Sequence, residues 1–295
     1  MTAAGVLATV VGLGAIGVAC RDIFDSLFHP EGRARIGRTV SRAVWLMVRR
    51  PARGRPGALA LAGPLAMIAV IATWALLLVT GWALVYLPHV DDGFRVAGRA
   101  GGGDLVDALN ISLVTLTTLG FGDVTPEAAW LRLVNPLEAL LGFGLLSASV
   151  SWLLLTYPVL SRRRSLAYEV SLLRRQQEET GASVVELDPA VAERVFAELT
   201  SRLVAVERDF VNFPITYYFV EADERFSLAA AAPHLLDLAE RGSAQGRPEP
   251  VRLRARLLGE ALGDLAATTS SGFHGARGDS TAELLRHYAR DQLRG

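Results

Sequence analysis

The chain has 295 residues, and its 30 basic and 30 acidic side chains balance to a formal net charge of zero. Hydrophobic residues make up 51% of the sequence and the mean hydropathy is +0.31, which excludes an ordinary soluble domain and indicates a membrane protein with a substantial polar part. The single cysteine, Cys20, excludes an intrachain disulfide framework. No Ser/His/Asp or Cys/His arrangement offers residues for catalysis, so we expect neither an enzyme nor a cofactor.

The first apolar stretch, Ala3 to Cys20, predicts an amino-terminal transmembrane helix over residues 1–20. Its length meets the lower limit for crossing a hydrocarbon core of about 30 Å. Glycines within it would let the helix pack closely on a neighbouring helix. A signal peptide is the alternative, but residues 1–4 carry none of the basic side chains that such a peptide needs.

Residues 21–56 form a basic segment that we predict to be a cytosolic linker containing an interfacial helix. Apolar side chains recur there at helical spacing; they are Ile36, Val40, Ala43, Val44 and Met47. A helix with one apolar and one cationic face lies in the membrane interface, with its arginines near anionic headgroups. The predicted lipid-facing arginines are Arg33, Arg35, Arg38, Arg42, Arg49 and Arg50. A solvated basic linker is the alternative.

Residues 57–160 contain two apolar spans that enclose a short polar segment. In chain order the parts are Gly57–Leu87, a glycine-rich loop at Pro88–Gly103, a short helix at Asp104–Thr117, the polar segment Thr115–Pro126 and the second span, Trp130–Tyr157. Both spans are long enough to cross a bilayer. Irregular backbone at membrane depth is tolerated only where it lines an aqueous path or is buried in protein. The order of these segments therefore predicts a re-entrant pore loop.

The polar segment contains the sequence Thr-Leu-Gly-Phe-Gly-Asp at residues 118–123, followed by Pro126. Carbonyl oxygens that all point toward one axis need alternating left-handed and right-handed backbone, and glycine adopts φ > 0 without steric cost. The motif resembles the potassium-channel signature, with Leu for Val and Phe for Tyr. The resemblance implies a selectivity filter formed by Thr118, Leu119, Gly120, Phe121 and Gly122. A chance glycine turn in a soluble loop is the alternative.

Further details follow from this resemblance. K⁺ would bind at the carbonyls of residues 118–121, with the Thr118 hydroxyl at the inner end. The fold would be an all-α membrane protein whose pore domain has an outer helix, a pore helix, a filter and an inner helix. One loop offers a quarter of the carbonyl ring, so a homotetramer is expected. The interfacial helix resembles the slide helix of inwardly rectifying potassium channels.

The same resemblance places a hinge of the inner helix at Gly142. Close helix packing at this glycine is an alternative that the sequence leaves open, because glycine serves both purposes. Side chains expected to face the central cavity are Phe143, Leu146, Val150 and Leu154.

Filter support departs from the best-known pattern of this family. Positions that often carry an aromatic pair and a glutamate here carry Asn110, Ile111 and Val114. Phe121 also lacks the hydroxyl that would bond such an aromatic. We expect a hydrogen bond between Asn110 and Asp123. Because each missing bond is worth about 0.5–1.5 kcal/mol, the filter should collapse easily at low K⁺.

Glu138 is the carboxylate of the second span, and it has two interpretations. Together with Asn135 and Pro136 it matches a helix start, in which it would be the acid of a capping box. Alternatively the helix begins upstream and Glu138 supports the filter by bonding the Thr115 or Thr117 hydroxyl. We favour the second interpretation, because the resemblance begins the inner helix before Asn135.

After residue 160 the chain is polar and patterned as helices. Residues 161–180 predict a helical stalk, and residues 181–295 a cytosolic helical domain with helices at Pro189–Val206, Leu228–Arg241, Val251–Thr268 and Thr281–Leu293. No G-x-G-x-x-G follows a strand, so a Rossmann-like sensing domain is not indicated. The aromatic residues within 210–219 favour ordinary core over a ligand pocket or a surface docked under the membrane.

Together these features predict a potassium-selective channel that conducts K⁺ passively and is gated at the filter, the inner helices or both. The alternatives are a non-selective cation channel and a non-conducting, membrane-anchored helical adaptor. Arginine clusters before residue 57 and after residue 160 place a cytosolic carboxyl terminus on a multi-pass protein of the cytoplasmic membrane. Expected partners are K⁺, anionic lipids and an unidentified cytosolic ligand, with no nucleic acid and no cofactor beyond K⁺ in the filter.

Overall fold

The computed structural model describes residues 2–28, 34–49, 56–96, 103–275 and 280–293 of the chain. The helices are α1 (Ala3–Phe28), α2 (Arg35–Arg49), α3 (Pro56–Leu59), α4 (Ala62–Tyr86), α5 (Val90–Gly93), α6 (Leu105–Leu116), α7 (Leu131–Thr180), α8 (Pro189–Asn212), α9 (Leu228–Ser243), α10 (Glu249–Thr269) and α11 (Thr281–Leu293). Strands β1 (Phe94–Val96) and β2 (Val124–Pro126) form an antiparallel pair. The predicted all-α membrane fold is confirmed.

In the described part of the chain, three helical stretches are long and apolar enough to cross a membrane: Ala3–Leu27, Gly57–Gly93 and Leu131–Thr180. The protein is therefore a membrane protein. The first two predicted spans lie within these stretches, and the third, Trp130–Tyr157, begins one residue before the helix does. The first helix does not end at Cys20 as predicted but continues to Phe28. Arg21 and Asp25, one turn apart on this continuation, form an ion pair of 3.7 Å that supports it.

The chain divides into two compact units. The pore unit contains Met1–His29, Arg33–Gly37 and Ile68–Leu154, and the carboxy-terminal unit contains Pro30–Gly32, Arg38–Met67 and Leu155–Gly295. This division differs from the predicted boundary at residue 57, because most of α2 and the first residues of α4 belong to the carboxy-terminal unit. Most of α2 and the start of α4 thus belong to the same unit as the polar helices of the carboxyl-terminal half.

In the pore unit, α1 runs antiparallel to α4 and packs on it through glycines. A Cβ atom at Gly12 would overlap the carbonyl oxygen of Gly81, and a Cβ atom at Gly5 would lie 3.2 Å from Pro88. Small residues allow helix backbones to approach this closely. The prediction that the glycines of the first helix allow close packing on a neighbouring helix is confirmed for Gly12, whereas nothing lies within 4 Å of a Cβ atom at Gly14 or Gly17.

The junction between α1 and α2 depends on Asp22, a side chain with only 5% exposure. Its carboxylate accepts hydrogen bonds from the Ile36 and Gly37 amides at 3.0 and 3.2 Å and from Trp74 Nε1 at 3.0 Å. The first amides of a helix lack partners within the helix, so this acid fixes where α2 begins. The sequence analysis assigned Asp22 no role.

The short β1–β2 ribbon holds the outer end of the polar segment. Arg95 pairs with Thr125 in the ladder and forms an ion pair with Glu127, whose amide donates to the Gly93 carbonyl at 2.8 Å. The sequence analysis read Pro88–Gly103 only as a glycine-rich loop and missed this ribbon. Strands of three residues give too little periodic pattern to be recognised from sequence.

The long helix α7 is continuous from Leu131 to Thr180 and stops before Gly181, whose φ of +73° provides a left-handed termination. The predicted stalk over residues 161–180 is therefore a direct continuation of the second span.

In the carboxy-terminal unit the four helices predicted from periodicity all form. Helix α11 matches its predicted bounds, α9 and α10 extend one or two residues beyond theirs, and α8 continues six residues past its predicted end. The core consists of apolar side chains from α8, α9, α10 and α11. It includes part of the aromatic segment: Phe210 and Tyr217 are 2% and 1% exposed, and Tyr217 stacks on Phe273 at 4.0 Å. The interpretation of these aromatic residues as domain core is correct for Phe210 and Tyr217.

Candidate functional site

The polar segment follows directly from α6, a helix that a capping box fixes at its start. Asp104 accepts the amide of Asp107 at 3.0 Å, and Asp107 accepts the amide of Asp104 at 3.2 Å. At the other end of the helix, the Leu119 amide donates to Val114 at 3.0 Å. Helix α6 therefore sets the direction in which the polar segment begins.

Residues 118–122 alternate in backbone handedness. Thr118, Gly120 and Gly122 have φ of +57°, +54° and +79°, whereas Leu119 and Phe121 do not have positive φ. Thr118 is the only non-glycine residue with positive φ in the described part of the chain, and a β-branched residue adopts that conformation at a cost. The expected alternation, with glycine where φ > 0, is present at both Gly120 and Gly122.

The carbonyl oxygens of residues 118–121 accept no hydrogen bond from any described residue. Leu119 and Phe121, whose side chains alternate with the glycines, are 62% and 70% exposed on the single chain. An unbonded carbonyl is costly unless water, another chain or a cation satisfies it. The segment therefore offers a row of free oxygen ligands.

Gly142 of α7 packs against the end of α6. A Cβ atom at this position would overlap the carbonyl oxygen of Leu116, the last residue of α6. Because α7 has no break at Gly142, the structure matches the close-packing interpretation of this glycine rather than a preformed hinge. Any larger residue would press on the backbone that leads into the polar segment.

Glu138 is fully buried in the same interface. Ser112 of α6, itself fully buried, donates its hydroxyl to Glu138 Oε1 at 2.5 Å. One turn away, Asn135 Nδ2 donates to the Thr115 hydroxyl at 3.0 Å. Two polar contacts thus cross-link α6 and α7 behind the polar segment.

The start of α7 contradicts one of the two interpretations of Glu138, while its role in supporting the filter stays a prediction. The helix begins at Leu131 and continues through Pro136, so the prediction of a helix start at Asn135 is wrong. The predicted partner hydroxyls also need correction. Thr117 donates to the Leu113 carbonyl of its own helix at 2.7 Å, and Ser112 takes the place assigned to Thr115 or Thr117. Ser112 faces Glu138 because it lies one turn before Thr115 on α6.

The expected bond between Asn110 and Asp123 is not formed: no hydrogen bond joins these two described side chains, and both are exposed. They line a groove of about 270 Å³ between the polar segment, α6 and α7, together with Val114, Phe121 and Asn135. Ile111 and Val114, which also face this groove, have no polar group that could bridge it. The middle of the segment is therefore weakly supported.

Four further side chains predicted to face a central cavity are all exposed on the single chain. Phe143, Leu146, Val150 and Leu154 are 61%, 63%, 50% and 65% exposed, whereas Leu145 and Trp152 on the other side of α7 are buried. Exposed apolar side chains on a membrane helix contact lipid, another chain or a pore. Their assignment to a cavity stays a prediction.

The predicted lipid-facing arginines divide into three groups. Arg35, Arg38 and Arg42 are exposed on α2. Arg49 instead forms an ion pair with Asp291 of α11, a correction that no local pattern could have predicted. Arg33 and Arg50 lie outside the described residues.

Comparison with known proteins places the polar segment within a recognised domain. Residues 70–154 match the family model described as "Ion channel". No curated protein and no solved structure matches the chain. The matched range contains α6, the filter candidates, Glu138 and Gly142, and the family is one of channels rather than enzymes, as the sequence analysis predicted.

Gly142→Ala should disturb the pore because its methyl group would overlap the Leu116 carbonyl oxygen. We expect a loss of about 1–3 kcal/mol in stability, typical of overpacking, and a strong reduction in ion flux in liposomes. Gly144→Ala is the matched control, since nothing lies within 4 Å of a Cβ atom there. Equal flux and equal melting temperature in the two variants would contradict the packing role.

Ser112→Ala removes the donor to a buried carboxyl, which should lower the free energy of unfolding by about 1–3 kcal/mol. The same substitution should speed the loss of current during sustained opening. Glu138→Gln should alter the same property, because the two side chains act as one pair. Ser149→Ala serves as control, since its hydroxyl bonds only the Leu145 carbonyl of its own helix. The pairing would be disproved by wild-type current decay in both Ser112→Ala and Glu138→Gln.

Proposed function

We propose that the chain is an ion channel, as the family match over residues 70–154 supports, and that four copies assemble around one axis to conduct K⁺ selectively across the cytoplasmic membrane. The observation that carries this proposal is the segment Thr118–Gly122, with its alternating φ and its carbonyl oxygens free of protein donors. A dehydrated K⁺ ion needs a shell of oxygens, and rings of backbone carbonyls supply it in potassium channels. Each chain would contribute one quarter of every ring.

Exposed apolar surface supports the tetramer. Phe121 of the filter and Phe143, Leu146 and Leu154 of α7 are each more than half exposed on the single chain. In a homotetramer the filter side chains would pack between neighbouring subunits, and the α7 side chains would line the cavity or the subunit interface. No cofactor is needed in this mechanism, because the ions themselves satisfy the carbonyl oxygens.

For gating, the packing around α6 favours the filter over a bend of α7. At Gly142 the inner helix is already pressed against Leu116, so a bend there would have to break a close contact. The filter backs onto a groove of about 270 Å³ and can move into it. The same freedom would lower selectivity at low K⁺, and a non-selective cation channel is therefore the second candidate function.

Orientation and lipid contacts belong to the same proposal. The carboxy-terminal unit would lie in the cytosol, and the antiparallel arrangement of α1 and α4 would then place the amino terminus outside. Helix α2 exposes Arg42 beside the apolar residues Leu46 and Met47, which are 49% and 73% exposed. This combination fits an interface with anionic lipid headgroups.

Gly120→Ala tests the filter assignment. Nothing lies within 4 Å of a Cβ atom at Gly120, so the substitution adds no clash, but its φ of +54° strains any L-residue. We expect K⁺ flux into liposomes to be abolished. Gly144→Ala, with open space and no positive φ, should retain flux. Selective K⁺ flux in Gly120→Ala would refute the assignment, and equal K⁺ and Na⁺ flux in the wild type would favour the non-selective channel.

Arg42→Gln tests the lipid contact. One arginine near an anionic surface contributes about 1 kcal/mol, which corresponds to an approximately fivefold change in apparent affinity. The variant should therefore need more phosphatidylglycerol in the liposomes for half-maximal flux. Arg256→Gln removes an exposed charge from α10 and is the control. An unchanged lipid requirement in Arg42→Gln would exclude this arginine as a headgroup contact.

A further inference from the structure

Three helices connected to the membrane spans converge on one short segment of the carboxy-terminal unit. We call residues Pro214–Phe219 the docking segment. The first contact comes from α2, whose Trp45 is only 4% exposed. The Trp45 ring lies 6.5 Å from Tyr217 and 5.9 Å from Tyr218, measured between ring centroids. Burial of this indole against two tyrosines anchors the predicted interfacial helix to protein on that face.

The second contact comes from the start of α4. A Cβ atom at Gly63 would overlap the ring of Phe219, so the aromatic side chain lies directly on the helix backbone. Only glycine leaves room for this approach. The outer pore helix therefore begins in direct contact with the docking segment.

The third contact comes from Arg163 of α7, a cation with 6% side-chain exposure. Its guanidinium donates to the carbonyl oxygens of Thr216, at 2.8 Å, and Phe219. Glu221 lies 3.4 Å away and supplies the compensating charge. A buried cation of this kind is tolerated only when its donors are satisfied, so these bonds define one position of the segment relative to α7.

Adjacent arginines reinforce the connection to α7. Arg162 makes a bidentate pair with Asp209 of α8 at 3.0 and 2.6 Å, and Arg164 pairs with Glu221 at 2.8 Å. Bidentate guanidinium–carboxylate pairs are the most directional ion pairs available to side chains. The basic cluster after the second span is thus used for docking the domain.

Helix α11 contacts both α2 and the docking segment through Asp291, which is 8% exposed. Its carboxylate accepts from Arg49 of α2 and from the Tyr217 hydroxyl, while Gln292 Nε2 donates to the Tyr217 carbonyl at 3.0 Å. Burial, and secondly the Asp291 charge, raise the pKa of Tyr217 above its ordinary range, so the hydroxyl stays protonated and donates. Arg49, Asp291 and Tyr217 form one connected chain of bonds.

We propose that this Arg49–Asp291–Tyr217 chain is a clasp by which the carboxy-terminal domain controls the open probability of the pore. The clasp holds α2 on the docking segment, and the docking segment also binds α4 and α7. A rearrangement of α11 therefore acts on the outer and inner pore helices together. The proposal rests on the proposed channel function and adds a regulatory contact to it, with Asp291 as a positioning residue.

A two-state pore can be biased only by contacts that differ between its states. The clasp fits this requirement because its ion pair is partly accessible: the Arg49 side chain is 35% exposed, whereas Arg163 is nearly inaccessible. Arg49 can leave Asp291 for solvent while the buried contacts of Arg163 persist. The clasp is thus the element that a change in the domain would release first.

The experiment compares Arg49→Gln, Asp291→Asn and the double variant by single-channel recording in planar bilayers. Both single variants should shift the open–closed equilibrium in the same direction by about tenfold, or ~1.4 kcal/mol. The double variant should match the single ones, because all three lack the same contact. Arg49→Asp combined with Asp291→Arg should restore the wild-type open probability. Arg225→Gln, which breaks an exposed pair with Asp223 and a cation–π contact with Phe226 but touches no clasp residue, is the control.

A measurement of ion selectivity distinguishes a failure of the clasp proposal from a failure of the channel assignment. K⁺ over Na⁺ selectivity should be unchanged in every clasp variant, because none of them touches residues 118–122. Opposite or additive effects of Arg49→Gln and Asp291→Asn, or a wild-type open probability in both, would overturn the clasp while leaving the channel function intact.

A second measurement does not require current. Amide hydrogen exchange on the purified protein should show faster exchange across α2 in Asp291→Asn and unchanged exchange in Arg225→Gln. Unchanged exchange of α2 in Asp291→Asn would also overturn the proposal. A wild-type protein without K⁺ flux would instead refute the proposed function.

Discussion

The pore unit is organised around one backbone segment, residues 118–122, that has few hydrogen bonds of its own. Residues 118–122 place a β-branched threonine at positive φ, and the carbonyl oxygens of residues 118–121 accept no hydrogen bonds from the described residues. A segment of this kind lacks the ladder or helix bonds that normally hold a chain, so its geometry must be imposed from both ends. The inner end is set by α6, and the outer end by the β1–β2 ribbon. Much of the pore unit can be understood as the means of holding these two ends.

Local signals explain what the sequence analysis predicted correctly. The spacing of a known motif predicts the positions of Gly120 and Gly122. The apolar run after Asp104 predicts α6, and periodicity predicts the helices of the carboxy-terminal unit. The contacts that position these elements join residues distant in sequence. Ser112 and Glu138 are separated by 26 residues and Arg49 and Asp291 by 242, and no periodic pattern encodes which partner is chosen. The positive φ of Thr118 was also beyond prediction, because local preference opposes it.

Arginine clusters illustrate how one residue type can serve two purposes. Counting cations near the ends of spans gives an orientation, and on that basis the residues before Gly57 and after Leu160 were assigned to the cytosol. In the structure Arg49, Arg162 and Arg163 bind acids or carbonyls of the carboxy-terminal unit. These roles are compatible, since Arg49, Arg162 and Arg163 lie next to the spans in the sequence and belong to the carboxy-terminal unit in the structure. Guanidinium suits both, because its planar set of donors can bind two acceptors at once.

Support of the filter is uneven, and the unevenness has a physical consequence. Its inner end is fixed where Gly142 meets the Leu116 carbonyl and where two polar pairs join α6 to α7. Its outer end is fixed by the ribbon. Between them, Asn110 and Asp123 face a groove of about 270 Å³ without bonding each other. A deformation confined to this middle region breaks no buried hydrogen bond, whereas a bend of α7 at Gly142 would separate packed backbones. The lower-cost motion is therefore one of residues 118–123. Under the proposed function, ions bound by the carbonyl oxygens of this segment would be part of its structural support.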